Sequence, residues 1–214
     1  EALARIGATA IVKAGSLKVS ASTNTDIVVD VVDAIGEVDP TTYEATAGDI
    51  ANAHWLSAYG TIGTDGKGDA NFYLWKQSAM VAGADTIVVT HGWRDGFQQL
   101  GKWIALLDAL DARFPTANIV FTDWSAKSTN LNYFAAADDT FDIGGHLSQF
   151  LQDQSVDPAR TTLIGHSLGA QVSGVAGHNY EQATGDKIAN IIALDPAGPL
   201  FEETTGISGK DLDE

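Results

Sequence analysis

Gly165-His166-Ser167-Leu168-Gly169 sets a serine between two glycines, each two positions away. That spacing suits nucleophilic catalysis. A serine on a tight strand-to-helix turn lifts its hydroxyl clear of a sheet, and side chains in place of Gly165 or Gly169 would strike the neighbouring elements. A serine hydroxyl is a weak nucleophile at neutral pH, so it needs a histidine to take its proton and a carboxylate to orient that histidine. Asp195, in Asp195-Pro196-Ala197-Gly198, is the preferred carboxylate, although a turn residue before Pro196 would look the same. Asp123, in Asp123-Trp124, is the runner-up and reads equally as a loop-anchoring acid. The oxyanion that forms during acyl transfer needs two backbone N–H donors. Leu168, just after the serine, supplies one, and the loop His91-Gly92-Trp93 supplies the other at Trp93.

These residues work together only if the chain brings them to one place. Short apolar runs at 86–90, 118–122, 161–164 and 190–194 predict buried strands. Between them, Leu100, Trp103, Ile104, Leu107 and Leu110 recur at helical spacing. Ile143, Leu147, Phe150 and Leu151 mark a second helix over 134–154, and a third is predicted over 168–182. Strand–helix alternation predicts an α/β fold, a parallel sheet with right-handed crossovers and flanking helices. Each of the four clusters follows one strand, so all four converge on the carboxyl edge, where open α/β sheets bind ligands.

The rest of the chain has a different texture. Residues 1–37 are rich in small and β-branched residues and predict a short β-rich segment. Residues 38–70 read as an irregular linker, ending in a glycine loop at 63–69 whose carboxylates do not match a twelve-residue calcium loop; a plain turn is the simpler reading. Residues 71–214 form the catalytic-looking domain. With 12 Lys+Arg against 28 Asp+Glu, the net charge of -16 excludes a phosphate-backbone-binding face, hence a nucleic-acid partner. The absence of cysteine excludes disulfides, a thiolate zinc site and a cysteine nucleophile. No apolar run approaches the roughly 18–20 residues of a transmembrane helix. A start at Glu1 shows no signal peptide, and both ends read as cut from something longer.

Residues 164–174, from Ile164-Gly165-His166-Ser167-Leu168-Gly169-Ala170 to Gly174, with Ile192-Ala193-Leu194-Asp195-Pro196-Ala197-Gly198-Pro199, resemble the pancreatic-lipase family of α/β-hydrolases. His91-Gly92-Trp93, Asp123-Trp124 and Tyr133 fall where that family has its oxyanion loop and strand-end Asp-Trp, and the resemblance spans residues 85–203. It implies an α/β-hydrolase core and a secreted or cell-surface carboxylic-ester hydrolase acting on lipids at a lipid interface. Candidate substrates are triacylglycerol, phospholipid at the sn-1 position, or simpler esters. It implies Ser167 as nucleophile, Asp195 as acid, Trp93 and Leu168 as oxyanion donors, and His91 as support for the oxyanion loop. No cofactor is required. The family's calcium site would fall just after the acid, where Glu202, Glu203, Asp211 and Asp213 lie, although their spacing departs from the family's pattern. The lack of cysteine sets the chain apart from disulfide-bonded animal relatives and suits a bacterial one. Residues 1–37 resemble the β-solenoid repeats of large secreted bacterial adhesins, an ordinary hairpin being the alternative.

One departure matters for function. In the family the catalytic histidine lies well downstream of the acid, and this sequence stops soon after Asp195. Five histidines are present: His54, His91, His146, His166 and His178. His178 lies three helical turns beyond Ser167, roughly 16 Å away. His166 is part of the elbow, His146 sits mid-helix on a crossover, and His54 lies in the unpatterned zone. Only His91 sits at the correct edge as a displaced base. The expectation is an incomplete active site in a C-terminally truncated hydrolase, inactive as given. The alternative from another class is a catalytically silent lipase-fold module for binding or adhesion.

Overall fold

The computed structural model describes residues 45–198 and residue 201. The β-rich N-terminal segment and the candidate calcium acids Glu202, Glu203, Asp211 and Asp213 lie outside the described residues. A capping box opens the described chain. Thr46 Oγ1 accepts the Asp49 N–H while the Asp49 carboxylate accepts the Thr46 N–H, starting the short helix α1 (Ala47–Asn52). Strands β1 (Ala53–Tyr59) and β2 (Ala70–Trp75) follow, then β3 (Thr86–Thr90), helix α2 (Gly101–Arg113) and β4 (Asn118–Asp123). The short α3 (Ser125–Ser128) and the long α4 (Tyr133–Asp153) lead to β5 (Thr161–His166), α5 (Leu168–Thr184) and β6 (Asn190–Leu194).

The six strands form one sheet in the order β1-β2-β4-β3-β5-β6. β4, β3, β5 and β6 pair in parallel, matching all four strands predicted from apolar runs. The parallel expectation needs correcting at one side: β2 runs antiparallel to β4, and β1 antiparallel to β2. A second correction follows, because part of the expected linker belongs to the sheet. β1 lacks clean alternation, with a register irregularity between Trp55 and Ser57, and its side chains are mostly half-buried. Such a strand carries little periodic signal.

Alternate side chains of the central strands feed two cores. Phe72, Leu74, Val88, Val120 and Leu163 face α4 and α5, meeting Ile143, Leu147, Phe150, Val172 and Ala176. Tyr73, Trp75, Ile87, Val89, Ile119, Phe121 and Ile164 face the other way onto Leu100, which precedes α2, and Trp103, Leu107 and Leu110 within it. Burying each such side chain contributes about 1.5–3 kcal/mol. Helix–sheet–helix layering therefore fixes both faces and leaves the carboxyl edge to the connecting loops. α4 and α5 approach closely because Gly144 has no side chain: a Cβ there would lie 2.6 Å from Val175 Cβ.

Candidate active site

β5 ends at His166 and α5 begins at Leu168, so Ser167 is the whole turn. Its backbone stands at φ 54° and ψ −123°, a region that costs a non-glycine residue about 1–3 kcal/mol. The surrounding backbone holds it there. Ser167 N–H donates to the Leu194 carbonyl at 3.0 Å, and the Ser167 carbonyl accepts from Ala170 N–H at 3.0 Å and Ala197 N–H at 3.3 Å. The flanking glycines are steric requirements. A Cβ on Gly165 would collide with the Gly169 carbonyl, and one on Gly169 with the carbonyls of Thr90 and His91.

These same bonds join the serine turn to the turn after β6. Asp195, exposed and itself at φ 45°, follows Leu194, whose carbonyl receives the Ser167 N–H. Gln171 Nε2 donates to the Ala197 carbonyl at 2.7 Å and ties α5 to that turn. The other side of the site is the loop after β3. Gly92 abuts the serine so closely that a Cβ there would lie 2.8 Å from Ser167 Cβ. The next N–H is that of Trp93. As the first residue of α5, Leu168 has no intrahelical acceptor for its N–H. Neither N–H finds a protein acceptor among the described residues. Both unpaired donors belong to residues that adjoin the serine turn, Leu168 directly and Trp93 through Gly92.

His91 is fully buried behind this loop. Its Nδ1 lies 2.9 Å from the Gly92 carbonyl, while Nε2 accepts the Trp124 N–H at 3.0 Å. The proton therefore sits on Nδ1 and the Nε2 lone pair is occupied. Trp124 stacks on the imidazole with centroids 5.5 Å apart and donates Nε1–H to the His91 carbonyl at 2.7 Å. Asp123 completes the clasp: Oδ1 accepts N–H groups of Phe97 and Ser125, each at 3.1 Å. Burial pushes the Asp123 carboxyl up, but its contacts with His91 and Ser125 outweigh this and hold it below the usual carboxylate range. Asp123 Oδ1 also lies 3.5 Å from His91 Nε2, an ion pair whenever the imidazole is protonated.

The histidines sort by position. His166 packs its ring on Trp103 of α2, on the sheet face opposite α5, and burial pushes its imidazole down despite the nearby Asp195 and Asp95 carboxylates. His54 lies on β1, and His146 stacks on Tyr59 of the same strand. β1 is four positions from β5 in the sheet, roughly 19 Å at the usual strand spacing. His178 is exposed near the far end of α5. With His91 locked by its hydrogen bonds, none of the five is placed to take the Ser167 proton.

Sequence reasoning missed three features. Arg94 adopts φ 54° in the oxyanion-side loop, a conformation no pattern announces for arginine. Ser128 holds that loop: its carbonyl accepts Arg94 N–H at 2.8 Å and its hydroxyl donates to the Asp95 carbonyl at 2.7 Å. An apolar rim also borders the loop. Trp93 meets Tyr133 edge-on at 5.2 Å, and Leu131 and Phe134 stand 77% and 57% exposed beside it. Among the described residues no cluster of three or more His, Asp or Glu could hold a metal.

Comparison with known proteins settles the family. The protein-family model described as Lipase matches residues 73–213. The chain belongs to this lipase family. A lipoprotein lipase of Sus scrofa is 35% identical over 123 residues, which is 55% of this chain and 24% of that protein. A phospholipase A1 of Vespa velutina is 42% identical over 96 residues, 39% of this chain and 32% of that protein. The chain thus covers well under two thirds of these lipase relatives. Among solved structures, a thermostable carboxylesterase cloned from a metagenomic library aligns at TM-score 0.43 and 15% identity, over 78% of this chain and 50% of that one. The layered mixed sheet with flanking helices is an α/β-hydrolase-like fold, as the resemblance implied.

Proposed function

We propose that this chain carries the nucleophile, acid and oxyanion donors of a serine-dependent carboxylic-ester hydrolase acting on lipids, of triacylglycerol-lipase or phospholipase A1 type. The observation that carries the reading is Ser167 in its strained turn, hydrogen-bonded to the strand end that bears Asp195, with unpaired N–H groups of Trp93 and Leu168 beside it. Ser167 Oγ attacks the ester carbonyl carbon, its proton passing to an imidazole oriented by Asp195. Trp93 and Leu168 N–H groups receive the negative oxygen. The proton then goes to the departing alcohol, and water repeats the sequence to release the fatty acid and free the serine. The exposed Leu131 and Phe134 favour an apolar substrate, and the relatives' names point the same way. A secreted or cell-surface setting agrees with this reading. Calcium enters no step.

The imidazole is the missing part, because each histidine of this sequence is otherwise engaged or distant. We therefore assign the base to protein outside these 214 residues, and the chain alone to negligible turnover. Loss of a triad histidine costs on the order of 10⁶ in kcat. That same geometry also fits a silent binding module of lipase fold. Tributyrin hydrolysis by the 214-residue chain and by the longest natural form separates the two. Activity in the longer form only, abolished by Ser167→Ala, supports the enzyme. A folded longer form without activity supports the module, and rapid turnover by the 214-residue chain overturns the assignment of the base.

A further inference from the structure

The loop beside Ser167 presents a cation that no carboxylate claims. Arg94 is exposed and forms no ion pair among the described residues. Two lysines of neighbouring elements, Lys102 and Lys127, approach Asp95 and Asp139 at 3.8 and 3.4 Å. Arg113 is likewise exposed without an ion pair among the described residues, but it ends α2, whereas Arg94 stands in the loop that abuts Ser167. Its backbone keeps it there. Arg94 stands at φ 54°, its N–H is tied to the Ser128 carbonyl at 2.8 Å, and its guanidinium lies 5.8 Å from the centre of the Trp93 indole. That indole is itself fixed, donating Nε1–H to the Asn130 carbonyl at 2.7 Å. Gly92 touches the serine turn, and two residues of chain span at most about 7.6 Å. The guanidinium is therefore within a side chain's reach of an ester bound at Ser167.

We propose that Arg94 is a specificity-determining residue of this site, binding the phosphodiester of a glycerophospholipid whose ester carbonyl lies at Ser167. The assignment rests on the hydrolase reading. A guanidinium pairs two-pronged with phosphate oxygens, and stacking on Trp93 limits the freedom it loses on binding. Long-range attraction cannot do this work, because a net charge of -16 repels anions and is screened beyond about 8–10 Å. Selection of an anionic lipid by so acidic a protein requires a short-range contact, and Arg94 supplies it.

The test uses the longest natural form and two short-chain substrates kept monomeric, dibutyryl phosphatidylglycerol and tributyrin, so that no charged surface contributes. Arg94→Gln lowers the ratio of kcat/KM for the phospholipid over the triglyceride about tenfold, and Arg94→Lys restores most of it. Both variants keep a side chain at the strained position, so relief of strain cannot produce that pattern. An unchanged ratio in Arg94→Gln, with both substrates cleaved, overturns the assignment and leaves the hydrolase reading intact. So does a ratio that changes only on phosphatidylglycerol vesicles, which would assign Arg94 to a membrane surface instead. Wild-type protein that cleaves neither substrate overturns both.

Discussion

Ser167 stores backbone strain at φ 54°, so relieving that strain stabilises the fold. Ser167→Gly raises the melting temperature by a few degrees, the equivalent of about 1 kcal/mol, whereas Ser167→Ala keeps the Cβ and gains nothing comparable. Thermal melts of the two variants check this. Gly165→Ala acts in the opposite sense. Its methyl would enter the Gly169 carbonyl, and a loss above about 4 kcal/mol is expected, seen as failure to fold or a collapsed melting transition. Asp123 predicts a pH dependence. Its folded carboxyl titrates below the ordinary 3.8, so its stabilising share is complete above that value and is lost as the pH falls through the lower folded one. Melts of Asp123→Asn below pH 3.8 should show a weaker acid dependence than the wild type. At this scale the sequence was informative about steric demands, since paired glycines two residues from a serine mark a crowded turn. It preferred Asp195 as the orienting acid and kept Asp123 as the runner-up, with loop anchoring as the other reading of Asp123. The structure uses Asp123 to pin Phe97 and Ser125, an engagement no residue pattern expresses.

Elements carry the next level of the account. The α4–α5 contact sets how α5, and with it Leu168, lies on the sheet. Gly144→Ala would add helix propensity worth about 1 kcal/mol, but its Cβ meets Val175 Cβ at 2.6 Å, so overpacking of about 1–3 kcal/mol wins. Denaturant unfolding should show Gly144→Ala destabilised and the loss reduced in Gly144→Ala/Val175→Ala, a coupling that distant sites would not show. The four parallel strands were legible as short continuous apolar runs and the three long helices by their helical spacing; β3, β4 and β5 are buried as expected, whereas β6 is mostly exposed. β2 was missed although it is a continuous apolar run of the same kind, its Phe72 to Trp75 alternating between the two cores. β1 was hidden because its half-buried residues and register slip give no consistent face.

For the whole molecule, the sheet topology brings four sequence clusters to one edge and separates most of the histidines from it. His91 is buried and hydrogen-bonded behind the loop after β3, His166 sits on the far face of the sheet, and His54, His146 and His178 are remote. The sequence could count the histidines but could not show that the one at the correct edge has its lone pair occupied by Trp124. The central claim is that Ser167 is a nucleophile in the natural protein, and covalent labelling tests it most directly. The longest natural form treated with a fluorophosphonate ester and mapped by mass spectrometry should carry the adduct on Ser167, with none in a folded Ser167→Ala variant. An unlabelled Ser167 in folded protein, or an adduct on another residue, would contradict the account.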